Sequence, residues 1–178
     1  MGSLDFQFNP GPFVSQAASL EVLNFGGDGT LAGSPSLMGD VSGGPLPCTL
    51  IFDNGSAFND YFEDFTFGST LSFEISLSGP AVDTPDGTAT SGSTFAFSMF
   101  SDAADTIPAL TTDSANDFTT TVDINLDGSA MATNLSTQTT ISPRSAAPEP
   151  NTCVLIGSAI GIAEVAAMAP ARFLVRML

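Results

Sequence analysis

Asp123-Ile-Asn125-Leu-Asp127-Gly128 sets three oxygen-bearing side chains at alternate positions ahead of a glycine. That is how a calcium loop opens: alternate side chains curl around the ion, and the glycine permits the sharp turn. Asp123, Asn125 and Asp127 are therefore candidate Ca2+ ligands. Position twelve of such a loop carries a bidentate Glu, and here it is Asn134, a poorer ligand. The same residues also read as a strand entering a hairpin. Val122, Ile124 and Leu126 alternate as a buried face, and Asp127-Gly128 is a hairpin turn signal. The hairpin is the preferred reading. Three other carboxylate-rich turns have the chemistry to hold surface cations: Asp53-Asn54-Gly55, Asp60 with Glu63 and Asp64, and Asp83 with Asp86.

Catalytic groups are scarce. The chain has no histidine, which removes the commonest general base and metal ligand, and with it any Ser-His-Asp or Cys-His arrangement. Cys48 lies in the body and Cys153 in a C-terminal apolar run, so they read as two unpaired buried thiols and not as a disulfide framework. Two carboxylates can hydrolyse a glycosidic bond, but the sequence sets no pair at a defined separation. No catalytic residue is assigned, and the chain reads as non-enzymatic.

The net charge is −16, and it is unevenly placed. Residues 1–143 carry seventeen carboxylates and neither Lys nor Arg; Arg144, Arg172 and Arg176 are the chain's three bases. A body without a basic side chain cannot neutralise phosphates, so nucleic acid is excluded as a partner, and anionic lipid surfaces with it. Ion pairs cannot hold such a body together. Apolar burial and backbone hydrogen bonds must, with fifteen phenylalanines as the main large apolar residues.

The elements that must position these groups read as strands. Residues 4–8 (LDFQF) alternate, as do 20–25 (LEVLNF) if one slip is allowed. Residues 70–78 put Leu71, Phe73, Ile75 and Leu77 on one face; residues 93–101 do the same with Phe95, Phe97 and Met99, with Phe100 breaking the pattern. Residues 48–52, 120–126 and 130–141 complete the set, separated by Gly/Pro/Asp-rich turns. Within 56–67, Phe58, Tyr61, Phe62 and Phe65 fall at helical spacing, so this stretch is open between a short helix and a bulged strand. The fold class expected is all-β: an antiparallel β-sandwich or jelly-roll-like domain over residues 1–141.

From 142 the character changes. Residues 142–152 form a proline-bearing linker, and 153–178 read as a single C-terminal transmembrane-type helix with a basic end. The run 153–171 nearly has the length of a bilayer crossing, although Glu164 interrupts it. Arg172 and Arg176 follow it, which orients such a helix with the body outside the cell and its C-terminus in the cytoplasm.

Pro148-Glu149-Pro150, a threonine two residues on, the apolar run and the terminal arginines resemble, in that order, a PEP-CTERM sorting signal. Residues 2–12, 57–80 and 92–103 resemble the Phe-rich, lysine-poor β domains of some proteins with that tail. The resemblance implies export by an exopolysaccharide-making bacterium, anchorage in the membrane through residues 153–171 before processing, and an exosortase partner that recognises Pro148, Glu149 and Pro150. It then implies release to the cell surface or the extracellular matrix, with exopolysaccharide as a further partner. Glu164 and the spacing of Arg172 and Arg176 depart from the family's tight arginine cluster. Residues 1–12 have neither a basic n-region nor an apolar h-region, so the natural start is expected upstream, with a first strand lacking. A calcium-dependent glycan-binding module is the alternative function, and a carboxylate-based glycan hydrolase the remote one.

Overall fold

A computed structural model describes residues 1–144 and 171–177, and over them the chain is all-β. Thirteen strands follow one another: β1 (Gly2–Pro10), β2 (Ser19–Gly27), β3 (Thr30–Leu31), β4 (Ser36–Met38), β5 (Val41–Gly43), β6 (Leu50–Asp53), β7 (Asp60–Thr66), β8 (Leu71–Ser78), β9 (Ser93–Phe100), β10 (Phe118–Ile124), β11 (Ala130–Asn134), β12 (Thr139–Arg144) and β13 (Ala171–Met177). One helical turn, α1 (Pro80–Asp83), follows β8. The first sheet has the order β11-β10-β9-β1-β7-β3, with β4 also on β7; the second has β12-β13-β8-β2-β6-β5. Both sheets are antiparallel throughout, for example β1 with β7 and β9, and β13 with β8 and β12. The two inner faces enclose one core, as a β-sandwich does.

Period two in the sequence decides which side chains enter that core. Leu4, Phe6 and Phe8 of β1 are buried, as are Leu71, Phe73, Ile75 and Leu77 of β8, and Phe95, Phe97 and Met99 of β9. Aromatic rings lock the layers together. Phe6 lies 4.6 Å from Phe97 within its own sheet and 5.1 Å from Phe73 across the gap, and Phe73 meets Phe97 at 5.0 Å. Centroid spacings in this range suit tilted and edge-on contacts, worth about 0.5–1.5 kcal/mol per pair beyond area burial. The slip in β2 is a register shift between Leu23 and Gly26, with Asn24 at φ 53°. Phe100, which breaks the alternation of β9, points outward and is still buried, because β9 ends in a bridge to Pro108.

One open reading is settled and three expectations are corrected, the first being that Cys48, read as a buried thiol, is exposed. Residues 60–66 are strand β7, not helix: Tyr61, Glu63 and Phe65 point inward, while Phe58 is exposed ahead of the strand. Leu126 is half-exposed in the turn after β10, so the buried alternation stops at Ile124. The largest correction concerns the C-terminus. Ala171–Met177, assigned to a transmembrane-type helix, form β13, a strand flanked on both sides within the second sheet. The physical reason lies in the alternation: Phe173, Val175 and Met177 are buried in the core, and Arg172, Leu174 and Arg176 occupy the opposite face. A spacing of four puts two arginines on one face of a strand as readily as beyond the end of a helix. Among the described residues no helix is long and apolar enough to cross a membrane. The rest of the proposed helix, with Glu164 and Cys153, lies outside the described residues, as do Pro148, Glu149 and Pro150.

Candidate functional site

Carboxylates meet at one place on the outer face of the first sheet. Asp5 stands on β1 between Phe62 of β7 and Ser98 of β9, and Asp60 of β7 stands opposite Gln7 of β1. Asp5 and Asp60 are therefore diagonal neighbours on one face, and each carboxyl acts on the other. Asp5 Oδ2 accepts from Gln7 Nε2 at 2.7 Å, while Asp5 Oδ1 is buried with no hydrogen-bond partner. Protonation removes the cost of burying that charge. Burial and the Asp60 carboxyl beside it push Asp5 up to about 8, and burial also raises Asp60. Asp105 joins from the turn after β9. Its Oδ1 accepts from Ser3 Oγ at 2.7 Å, and burial, followed by the charges of Asp5, Asp102 and Asp64, raises it despite that bond.

Among the described residues no group of three or more His, Cys, Asp or Glu is arranged to hold a metal ion.

A second polar site lies inside the sandwich. Glu63 is fully buried on β7, directly opposite Leu4 of β1. Its Oε1 accepts the Gly33 N–H at 2.7 Å and its Oε2 the Tyr61 hydroxyl at 2.5 Å; Tyr61 in turn accepts the Leu46 N–H at 3.1 Å. Two loops, after β3 and after β5, are thereby tied to one core strand. Burial, and then the Glu63 carboxylate, raise Tyr61 beyond the ordinary phenol range. Asn59 performs a similar task just before β7. Its side chain accepts from Asp40 N–H and donates to the Phe8 and Ser56 carbonyls. At Gly39 (φ 73°) a Cβ would come 2.1 Å from the Phe58 carbonyl oxygen, so only glycine allows that approach.

The calcium candidates occupy a hairpin. Asp123, on β10, accepts from Thr94 Oγ1 at 2.6 Å. Asn125 and Ser129 close the turn, N–H to carbonyl at 2.8 Å, and Asn125 Nδ2 donates to Ser129 Oγ at 2.9 Å. Asp127 Oδ1 accepts both the Ser129 N–H and its hydroxyl, which lower its pKa. Asp123 and Asp127 thus hold protein donors, while the Asn125 amide itself donates. Of the other carboxylate-rich stretches, Asp60, Glu63 and Asp64 lie on strand β7 and not in a turn, and the remaining two behave alike. Asp83 accepts from Gly79 N–H, Asp86 from Thr88, and Asn54 bridges Ala18, Gln16 and Ser93. Arg172 and Arg176, read in sequence as a basic tail, stand on β13 opposite Ser76 and Ser72 of β8.

One end of the sandwich opens into a cavity of about 430 Å3, lined by Phe67, Leu71, Met99, Leu110, Met177 and Gln138 among others. No charged side chain lines it. Sequence reasoning missed it because its walls come from ends of β8, β9 and β13 and from loops far apart in the chain. Glu63 was also missed as a core residue, since its charge hides the inward phase of β7. No family model, no curated protein and no solved structure matches this chain.

Proposed function

We propose that this chain is an exported, non-enzymatic protein of the bacterial cell surface or exopolysaccharide matrix. The observation that carries this reading is a domain of residues 1–143 with seventeen carboxylates and no Lys or Arg, whose core is apolar and aromatic and whose carboxylates satisfy turns or one another. Such a surface favours solubility and mobile counterions, and it disfavours phosphate-bearing partners. Pro148, Glu149 and Pro150 supply the sorting motif that an exosortase would meet. A cut there would leave Ala171–Met177 attached to the rest of the domain through its sheet alone. The test is to express the gene at its native locus in an exopolysaccharide-forming host and fractionate the culture. The protein is expected in the surface or matrix fraction; recovery from the cytoplasm alone would overturn the reading.

The 430 Å3 cavity supports a second, compatible activity, the binding of a small neutral apolar molecule, because its volume lies in the usual ligand range and no charge lines it. Met99→Trp should fill it. A panel of neutral hydrophobic probes should raise the melting temperature of the parent protein and lose that effect in the variant; no shift with any probe would remove this activity.

A further inference from the structure

The position of β13 in the second sheet bears on assembly, independently of where the protein is delivered. β13 pairs with β8 from Ala171↔Leu77 to Met177↔Leu71, and with β12 from Arg172↔Arg144 to Met177↔Thr139. Among the described residues β12 has no other ladder partner, so β13 alone joins β12 to the sheet. Phe173, Val175 and Met177 complete the core beside Phe73 and Ile75. The strand is thus an inner member of the sheet. It is nevertheless joined to its antiparallel neighbour β12 through residues 145–170, where a hairpin needs about 2–5 residues. A sequence separation of that length exceeds a hairpin turn, so connectivity alone does not commit the strand to the slot of its own domain.

Charge adds selectivity. The rest of the body, residues 1–143, has no basic side chain, whereas β13 carries Arg172 and Arg176 on the face opposite its core residues. Glu74 of β8 sits in register between them, opposite Leu174. On the β12 side Arg144 stands opposite Arg172, so charge favours the arginines from the β8 side alone; in burial pattern Ala171–Met177, which alternates core residues with outward ones, matches this slot.

We propose that the slot between β8 and β12 is a strand-acceptor site, which a second copy of this chain can fill with its own Ala171–Met177, so that two chains pair by reciprocal strand exchange. The mode is strand addition, with main-chain hydrogen bonds giving affinity and alternate side-chain pockets giving register. No change in the domain's own contacts is required, because each core receives the same seven residues.

Arg176 and Ser72 are register partners on the outer face, close enough for an engineered disulfide. In the full chain with Cys48→Ser and Cys153→Ser, one variant carries Ser72→Cys and another carries Arg176→Cys. The two are mixed, unfolded together, returned to native buffer at high concentration and exposed to a mild oxidant. Reciprocal exchange should give a disulfide-linked heterodimer whose yield rises with concentration. A mismatched pair, Ser72→Cys with Ser142→Cys, should give none. A single chain carrying both Ser72→Cys and Arg176→Cys reports the closed form. If it crosslinks within itself while the mixture stays monomeric at every concentration, exchange does not occur. If it crosslinks neither within nor between chains, β13 does not occupy the slot and the acceptor site falls with it.

Discussion

Glu63 and Asp5 are carboxylates on adjacent antiparallel strands of one sheet, a single register step apart, with Glu63 pointing into the sandwich and Asp5 out of it. Burial is deeper for Glu63, yet its site is the better satisfied. It accepts a backbone N–H and a tyrosine hydroxyl, both aimed at it by loops that fold over β7. Asp5 faces a second carboxylate, and among the described residues the one side-chain donor to it is Gln7. The comparison teaches that depth alone does not decide what a buried acid does. Donors do: supplied with them, Glu63 becomes a fastener for two loops, and without them Asp5 takes a proton from solution.

The comparison breaks first at Glu63. Glu63→Leu keeps the volume roughly but orphans the Gly33 N–H and the Tyr61 hydroxyl. At about 1–3 kcal/mol for each unsatisfied buried donor, a loss on the order of 3 kcal/mol is expected by denaturant titration. Glu63→Gln keeps an acceptor for Gly33 and should lose less than half as much. Equal losses in the two variants would mean that the loops are held by something other than this carboxylate.

Asp5→Asn should act in the opposite direction. The folded protein holds the Asp5 proton up to about pH 8, whereas the unfolded chain releases it near 3.8. Between those values the folded state binds the extra proton, so Asp5 contributes stability that is complete below pH 3.8 and is lost as the pH rises through 8. The slope is about 1.4 kcal/mol per pH unit for one proton, and Asp60 adds in the same sense. Asp28, Asp86, Asp113 and Asp127 are lowered by backbone and hydroxyl donors, so their contributions disappear in acid below the ordinary carboxylate range. The melting temperature should therefore be highest between about pH 4 and 5. Asp5→Asn should raise it at pH 8, change it little at pH 4.5, and flatten the profile between. A profile that keeps its slope in the variant would place the titration elsewhere.

Tyr61→Phe tests the other end of the same network. It removes one hydrogen bond to Glu63 and the acceptor for the Leu46 N–H, and a loss of about 1–2 kcal/mol is expected by the same titration. A loss as large as that of Glu63→Leu would mean that the loop after β5, and not the one after β3, is what the carboxylate secures.

The strands that carry the core were legible because their inward positions are uniformly apolar: Leu71, Phe73, Ile75 and Leu77 cannot alternate by accident over eight residues of β8. β7 was not, because Glu63 occupies an inward position and Phe62 an outward one, which turns the phase of the strand into the i, i+3, i+4, i+7 spacing of a helix. The slip in β2 was visible as a fault in the pattern, and the fold makes it a bulge. β13 was hidden by its neighbours in sequence, since an apolar run followed by arginines reads as one segment, and nothing local tells Phe173-Leu-Val175 that β8 is its partner. The Asp5–Asp60 pair is illegible for the same reason. It exists only once β1 and β7 have been set side by side, and the register that aligns them is fixed by the core faces of both strands.

The smallest effects are expected at the hairpin singled out for calcium. Asp127→Ala removes the acceptor for the Ser129 N–H and hydroxyl in an exposed turn, so a small fall in melting temperature should follow, the same with and without calcium. Asp123 accepts from Thr94 across the sheet and Asp127 from Ser129, so an ion would have to displace two sets of protein donors before it gained its own ligands. Since any ligand that binds only the folded state raises its stability, millimolar Ca2+ should leave the melting temperature of the parent protein unchanged. A rise that Asp127→Ala abolishes would make the hairpin a metal site after all, and would remove the contrast between acids that find protein donors and the one pair that must find a proton.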